Sequence, residues 1–398
     1  MMIQIIVVLV RVNPVEINFF HYVNYIMKKP RIMINMIVKD EAHCIVETLQ
    51  SVYKYIDYYV ISDTGSTDNT KQIIKDFFDS KGISGAIYDD KWENFGHNRT
   101  LALRHAEKHA KHAEYIFIID ADDLVVGDFQ YPVPMDKDCY LLKFGRGYVY
   151  TRPQIIRIDK SYKWRYKDIL HEYLICNRKC FSREIIDGDY FINSRRIGAR
   201  SKDPLKYLKD AEKLLKALES DPHNKRYIFY LGQSYFDAGK WVESIDWYQK
   251  AIALKDRNED VWTAWIRIAI CKSKLEHPKF EIINCYQEAQ KIFNDRAEPL
   301  YEIGKLYADA GKYHDAYVFF SLANSKQFPK DAGFIIQKDI YDFLAKYELA
   351  LTCAQLGRYS EYRHLFKELL DSHIPDQAKD AIRKDQEIIE TAIASMKK

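Results

Sequence analysis

The 398-residue sequence has no strong excess of charge of one sign, since 60 Lys and Arg residues are nearly balanced by 57 Asp and Glu residues. The net charge of +3 gives no bulk electrostatic basis for binding nucleic acid. Hydrophobic residues make up 47% of the chain and aromatic residues 14%, so the chain can bury a proper core. Its length is sufficient for two or three domains.

Cysteines are few, and no C-x-x-C motif pairs them. An odd count in scattered positions indicates reduced thiols in a cytosol-like compartment rather than a disulfide framework. Cys176 and Cys180 with His171 are a conceivable metal site, but zinc sites usually show tighter paired spacings. The seven cysteines are Cys44, Cys139, Cys176, Cys180, Cys271, Cys285 and Cys353.

Long hydrophobic runs are also absent. The apolar stretch MIQIIVVLV ends at Arg11 after about nine residues, which is too short to span a bilayer of about 30 Å. A signal peptide is the less favoured interpretation, because there is no charged segment before this stretch and no clear small-residue cleavage site after it. Residues 1–29 are therefore interpreted as a leader of uncertain role. A natural start at Met27 and membrane anchoring are the alternatives.

Residues 30–200 alternate between strand-like and helix-like segments. RIMINMIV, DYYVISD, ISGAIYDD and YIFIID indicate strands, and the stretches between them have the apolar spacing of helices. Ser66 or Thr67 is the expected N-cap of the helix that follows the second strand. This alternation predicts a mainly parallel sheet with helices on its faces.

Carboxylates gather where the predicted strands end. In parallel α/β sheets ligands bind at the carboxyl ends of the strands, so these residues mark the expected site. The residues are Asp63, Asp89, Asp90 and Asp120.

From about residue 201 to residue 398 the pattern becomes helical and repeats itself. Tyr230–Ala251 aligns with Glu302–Ala323, and Gly232 and Gly304 fall at the same offset. Small residues where helices touch and aromatic residues that fill the gaps are typical of tetratricopeptide-like helix pairs. Such an array offers a concave surface for a peptide or partner chain, or an interface for a homodimer.

The fourth predicted strand ends in three crowded carboxylates, Asp120, Asp122 and Asp123. Carboxylates so close repel each other unless a cation, a proton or solvent separates them. A calcium-binding EF-hand loop is rejected, because Val125 and Tyr131 occupy the positions that need Gly and Glu. A phosphatase of the haloacid-dehalogenase type is disfavoured because its Asp motif belongs on the first strand.

A solvated acidic turn and a divalent cation remain as explanations of the cluster. Asp120 and Asp122 lie two residues apart, so on extended backbone both side chains point the same way. Mg²⁺ or Mn²⁺ accepts such carboxylates and takes its other ligands from water and phosphates.

Several ordered motifs resemble the family 2 glycosyltransferases of the GT-A fold, in particular members with fused tetratricopeptide-like repeats. The motifs are MIVKDEAHCIVETLQSV, DYYVISDTGSTDNTKQII, WENFGHNRTLALRHA, IIDADD and YKWRYKDILHEYLIC. The resemblance implies an α/β GT-A domain, Rossmann-like with a mainly parallel sheet, over residues 30–200. An all-α repeat domain would follow over residues 201–398.

The resemblance also implies roles for matching residues. Asp63 would bind the base of a nucleotide sugar, and Lys39 and Glu41 would line the nucleoside pocket. Arg99 would approach the base or the diphosphate. Asp120 would serve the ribose and the metal.

Asp122 would complete the metal site, with Mn²⁺ or Mg²⁺ as the cofactor. Glu172 is the expected catalytic base, which deprotonates the acceptor. His171 is the alternative base or a third metal contact, and Asp168 is the reserve. Arg195, Arg196 and Arg200 are expected either to clamp phosphates or to form a solvated basic linker.

The implied activity is transfer of a sugar from a nucleotide-sugar donor, with a UDP-sugar expected, to an unknown glycan, protein or lipid acceptor. Inversion at the anomeric carbon is expected, and retention stays open. The alternative is a decayed transferase that acts as a repeat-based interaction scaffold. The expected location is the cytoplasm, with peripheral membrane association as a further option.

Overall fold

The computed structural model describes residues 29–198, 200, 203–329 and 335–396. The predicted leader, apart from Lys29, lies outside these residues. Within the described ranges, no helix combines the length and apolarity that crossing a membrane requires.

The first half of the sheet consists of parallel strands joined by helices, as the sequence predicts. The strands are β1 (Ile32–Val38), β2 (Tyr58–Asp63), β3 (Gly85–Asp89) and β4 (Tyr115–Ile118). The helices are α1 (Ile45–Val52), α2 (Thr70–Lys81) and α3 (Phe95–Lys108). The spatial order of the strands is β3-β2-β1-β4. The carboxyl ends of the strands therefore meet at one edge.

The second half makes the sheet mixed rather than mainly parallel. Its strands are β5 (Asp123–Gly127), β6 (Cys139–Phe144), β7 (Tyr148–Arg157), β8 (Arg165–Lys167), β9 (Tyr173–Ile175), β10 (Arg183–Ile185) and β11 (Tyr190–Ser194). The order continues from β4 as β7-β6-β11-β5, and β10 pairs with β6. β7 runs antiparallel to both β4 and β6, while β8 and β9 form a separate hairpin.

Both faces of the central strand β1 are covered, which explains its continuous apolar run. Ile32 and Ile34 pack into one buried cluster with Leu49 of α1, whereas Met33 packs into a second cluster with Leu103 of α3. A strand buried on both faces is apolar at nearly every position, and the one polar residue of β1, Asn35, donates hydrogen bonds to the Val60 and Ala102 carbonyls.

The helix after β2 begins later than predicted, at Thr70, with Asn69 at the N-cap position. Ser66 and Thr67 are not its caps, because they bond to the loop after β1 instead. The Asp40 backbone N–H donates to the Ser66 hydroxyl at 3.0 Å, and the Thr67 backbone N–H donates to the Asp40 carboxylate at 2.7 Å. The loops after β1 and β2 are thus held together.

The repeat half consists of antiparallel helix pairs. The helices are α4 (Lys206–Ser220), α5 (Lys225–Asp237), α6 (Trp241–Ala253), α7 (Asn258–Lys274), α8 (Lys279–Ile292), α9 (Glu298–Ala308), α10 (Tyr313–Asn324), α11 (Ala345–Gln355), α12 (Tyr359–Asp371) and α13 (Asp376–Met396). A Cβ on Gly232 would lie 2.7 Å from the Tyr248 ring, and one on Gly304 would lie 2.7 Å from the Phe320 ring. The glycine and aromatic pair is therefore a packing unit that recurs between helices.

The repeats contact the α/β half through Arg226 of α5. Its Nε lies 3.0 Å from the Asp168 carboxylate, and its Nη2 donates to the His171 carbonyl at 2.7 Å. The His171 ring stacks on the Tyr230 ring at 3.9 Å. One arginine thus fixes the segment before β9 against the first helix pair.

A second contact lies near the far end of the array. The short strand β12 (Ile336–Gln337), between α10 and α11, pairs antiparallel with the start of β7, where Ile336 lies opposite Val149. The Lys338 N–H donates to the Gly147 carbonyl at 2.7 Å. The repeats are therefore joined to the α/β half at two places.

We expect Arg226→Met to lower the free energy of unfolding by about 2–4 kcal/mol, because it leaves the buried Asp168 carboxylate without its cation. Lys225→Met is the matched control, since the neighbouring Lys225 forms only an exposed pair with Asp256. Urea unfolding at pH 7 measures both variants. Equal stabilities of the two variants would contradict the prediction.

Candidate functional site

A cavity of about 380 Å³ lies where β1 and β2 end. On one side it is lined by the end of β1 and the loop that follows, including the predicted residues Lys39 and Glu41, and by Thr64 after β2. Trp92 and Phe95, from the loop that leads into α3, complete this side. The position and the aromatic side chains suit a nucleoside.

Asp63 is buried at the end of β2, and its carboxylate is held by the turn that follows. One oxygen, Oδ1, accepts from the backbone N–H groups of Gly65 at 2.8 Å and Ser66 at 2.7 Å. Gly65 has φ +102°, a conformation that favours glycine. The other oxygen, Oδ2, is buried and accepts no hydrogen bond from the residues that the structure describes. It is therefore fixed in place without a hydrogen-bond donor among these residues.

Arg99 brings two of the predicted site residues together. Its Nη2 donates to Asp120 at 2.6 Å and its Nε donates to Glu172 at 2.7 Å, and the side chain is only 11% exposed. Burial disfavours the charged guanidinium, but the two carboxylates raise the pKa of Arg99 above its usual range. Arg99 is thus a buried bridge rather than a surface ion pair.

Asp122 lies beside the segment that follows β11. Its Oδ2 accepts from the Gly198 N–H at 2.9 Å, and its backbone carbonyl accepts from Arg195 Nε at 2.8 Å. Glu41 Oε1 and Asp122 Oδ2 lie 3.1 and 3.2 Å from where a Cβ on Gly198 would be. Glu41 and Asp122 therefore lie near each other at this edge of the sheet, although they form no three-residue ligand group with Asp120 in the described part of the chain. Hard oxygen donors of this kind fit Mg²⁺ or Mn²⁺.

Asp123 differs from its neighbours because it is fully buried. Burial and the adjacent charge of Asp120 raise the pKa of Asp123 to about 8, although contact with Ser194 and the charge of Arg152 oppose the rise. At neutral pH this carboxyl is therefore mostly protonated. The crowding in the sequence is relieved by a proton on Asp123 and by the Arg99 cation on Asp120.

Arg152 on β7 belongs to this cluster, and sequence reasoning missed it. Burial opposes its charge, but the nearby Asp120 carboxylate raises the pKa of Arg152. In turn, although burial works against it, the charges of Arg99 and Arg152 lower the pKa of Asp120. The alternating pattern of a strand gives no signal for such a role. Only the antiparallel pairing of β7 with β4 places Arg152 beside Asp120.

The three candidate bases point in different directions. Asp168 and His171 both have positive φ, of 78° and 52°, so the backbone turns sharply there. The turn directs Glu172 to Arg99, whereas His171 lies against Tyr230 and Asp168 pairs with Arg226 of the repeats. His171 does not form a three-residue ligand group with Asp120 and Asp122 in the described part of the chain.

One group of potential metal ligands is found among the described residues, and it comprises Glu41, His43 and Cys44. The Cys44 thiol donates to Glu41 at 3.2 Å, and His43 Nε2 lies 2.9 Å from the Ile197 carbonyl. Burial, together with the Glu41 carboxylate, raises the pKa of Cys44 to about 12. The thiol therefore keeps its proton at neutral pH, which makes it a poor metal ligand.

Two parts of the chain match known family models. Residues 33–133 match the model described as Glycosyl transferase family 2, and residues 208–259 match a tetratricopeptide repeat model. The family models therefore match the same two parts of the chain, in the same order, that resemble family 2 glycosyltransferases and tetratricopeptide-like repeats in the sequence. No curated protein matches the chain.

Several solved structures have some similarity to part of the chain. MamA is 19% identical with a TM-score of 0.34, and the alignment covers 44% of this chain and 94% of MamA. A tetratricopeptide repeat protein from Parabacteroides merdae is 20% identical with a TM-score of 0.37, over 48% of this chain and 69% of that one. Yeast Tom70 is 17% identical with a TM-score of 0.32, and the alignment covers 42% of this chain and 32% of Tom70.

We expect Arg99→Met to lower the free energy of unfolding by about 3 kcal/mol at pH 7, because Asp120 and Glu172 are left buried without their cation. Arg104→Met on the same helix is the control, since Arg104 forms only a partly exposed pair with Glu107.

The loss of unfolding free energy in Arg99→Met, relative to the wild type, should become smaller as the pH falls toward 4. Without Arg99, burial raises the pKa of Asp120, so protonation relieves the unpaired charge in the variant but not in the wild type. Denaturant unfolding at several pH values tests this. A loss that stays constant or grows at acid pH would contradict it.

Proposed function

We propose that the protein is a metal-dependent glycosyltransferase that moves a sugar from a nucleotide-sugar donor to an acceptor nucleophile. The supporting observation is that Arg99 holds Asp120 and Glu172 together at the strand edge where Asp63 and Asp122 also lie. A nucleoside pocket, an oxygen-rich cation site and a carboxylate that can take a proton are thereby adjacent. These are the parts that sugar transfer from a nucleotide requires.

The donor's nucleoside would occupy the cavity at the ends of β1 and β2. The buried Oδ2 of Asp63, which has no donor among the described residues, would accept a hydrogen bond from the base, while Lys39 and Glu41 would line the pocket. Uracil and guanine both offer such an N–H donor, and a UDP-sugar is the donor that the family resemblance implies.

Asp122 and Asp120 would hold Mn²⁺ or Mg²⁺. When bound, such a cation neutralises the diphosphate as it leaves. Asp122 Oδ2 is kept in place by the Gly198 N–H, and its Oδ1 accepts no hydrogen bond from the described part of the chain. The segment from Arg195 to Gly198 thus positions this carboxylate for a ligand.

Glu172 would act as the base. Arg99 binds its Oε1, whereas Oε2 accepts no hydrogen bond from the described residues and is available to the acceptor. Glu172 would take the proton of the acceptor hydroxyl while the oxygen of that hydroxyl attacks the anomeric carbon of the donor sugar. The bond from that carbon to the diphosphate oxygen would break at the same time. A single displacement of this kind inverts the anomeric centre.

The acceptor would be a glycan, protein or lipid, and the repeats would bind a protein partner or a second copy of the chain. The repeat domain by itself equally fits a scaffold with a decayed transferase domain. The two functions differ in whether the protein binds and turns over a nucleotide sugar.

Asp122→Asn should reduce metal-dependent release of nucleoside diphosphate from the best UDP- or GDP-sugar by at least about 100-fold, because one ligand charge is lost. Asn can still accept from Gly198, so the fold should be kept. Asp128→Asn is the control, since the exposed Asp128 carboxylate contacts only Gln130 in the described residues. Each protein is assayed with Mn²⁺, with Mg²⁺ and with EDTA.

Retained activity in Asp122→Asn, or activity that resists EDTA, would exclude this metal site. Wild-type protein that neither binds nor hydrolyses any donor would favour the scaffold.

Glu172→Gln should lower the turnover number by about 10²–10⁴-fold with little change in donor affinity, because general base catalysis is lost. Asp168 is the reserve base, and Asp168→Asn should mainly lower the stability of the fold, because Asp168 pairs with Arg226. Single-turnover transfer, once an acceptor is known, compares the two. A larger loss of turnover in Asp168→Asn would reverse the assignment.

A further inference from the structure

The nucleoside cavity has a second wall, and this wall comes from the first repeat helix and the residues before it. Opposite Lys39 and Glu41, the lining consists of Arg200, Asp203, Lys206, Lys209, Asp210 and Lys213. The last four residues lie on α4, spaced so that they share one face of the helix. The family 2 match ends at residue 133, so this wall lies outside the matched segment.

Packing fixes α4 in this position. Leu214 and Ala211 are buried in a cluster with Leu170, and Phe95 packs against the same cluster. Arg200 lies 5.0 Å above the Phe95 ring and pairs with Asp210, whose side chain is only 7% exposed. The helix is therefore held against the same loop that carries the aromatic lining of the cavity.

The cations of the two walls are not all neutralised. Lys209 pairs with Asp203 at 2.6 Å, and Arg200 pairs with Asp210. By contrast, Lys39 and Lys213 form no ion pair with any residue in the ranges that the structure describes. Two ammonium groups without carboxylate partners thus border the cavity from opposite domains.

We propose that Lys213, together with Lys39, binds the phosphates of a nucleoside diphosphate, so that the donor site is built from both domains. The inference rests on the proposed function, which assigns this cavity to the nucleoside because Trp92 and Phe95 line it together with Thr64, the residue after Asp63. An ammonium group is a good partner for a phosphate, and two such groups would share the charge of the diphosphate. The position of the first repeat would then affect donor affinity directly.

The test measures binding by titration calorimetry at low salt in the presence of Mn²⁺, with the full chain. UDP, GDP, ADP and CDP are compared first, and the tightest is then compared with its own nucleoside. Lys213→Glu should weaken binding of the nucleoside diphosphate by about 5–20-fold, because an attraction becomes a repulsion. Binding of the nucleoside should change by less than about 2-fold, because it carries no phosphate.

Two further variants make the result specific. Lys216→Glu changes an exposed lysine one turn further along α4 that does not line the cavity, and its affinities should equal those of the wild type. Lys213→Arg keeps the charge and should keep the affinity for the diphosphate. Lys213 is exposed, so none of these changes should affect folding, which circular dichroism checks.

The possible outcomes distinguish failure of the Lys213 inference from failure of the proposed function. If the wild type binds a nucleoside diphosphate and Lys213→Glu binds it as tightly as Lys216→Glu does, the inference is wrong and the proposed function stands. If Lys213→Glu weakens binding of the nucleoside as much as binding of the nucleoside diphosphate, Lys213 does not contact the phosphates and the inference is wrong. If the wild type binds none of the four diphosphates, both proposals fail together.

Discussion

The buried bridge of Arg99 between Asp120 and Glu172 is the interaction on which the arrangement of the site depends. It joins a helix, the end of a strand and the segment between β8 and β9. Two carboxylates this close and this buried would repel each other without a cation between them. The bridge also reaches the repeats, because His171, next to Glu172, is held by Tyr230 and Arg226.

The crowded acidic motif becomes intelligible once its members are distinguished. Asp120 is paired with an arginine, and Asp123 is buried and protonated at the start of β5. Asp122 is partly exposed, with its Oδ2 held by the Gly198 N–H and its backbone carbonyl held by Arg195. The same residue type thus serves three purposes, because burial and neighbouring charges differ over only four positions of the chain.

The parts of the fold that local pattern determines could be predicted from the sequence. The first four strands and the helix pairs were predicted because their apolar periods are read within single segments. The mixed half of the sheet was not, because β5 pairs with β11, which places Asp123 opposite Ser194 far along the chain. The start of α2 was missed for a similar reason, since Ser66 and Thr67 bond to Asp40 on a different loop.

In the candidate site, too, residues indicated by local sequence pattern were predicted and residues brought in by tertiary packing were not. The ends of the strands indicated Asp63, Asp120 and Asp122, and the structure places them at one edge. Arg152 and the lysines of α4 gave no local signal, because only tertiary packing carries them there. The roles of Glu172, His171 and Asp168 stay predictions. The three side chains point in different directions and contact different partners.

The strand β12 has a consequence for how such a protein can change over evolution. Arrays of helical repeats usually gain or lose units freely, because each repeat contacts only its neighbours. Here the array is held at α5 by Arg226 and again at β12 by β7, so its span between these points is fixed. Insertion or deletion of one helix pair would move β12 away from its partner strand. The number of repeats between the two attachments is therefore constrained by the distance between the β8–β9 segment and the start of β7.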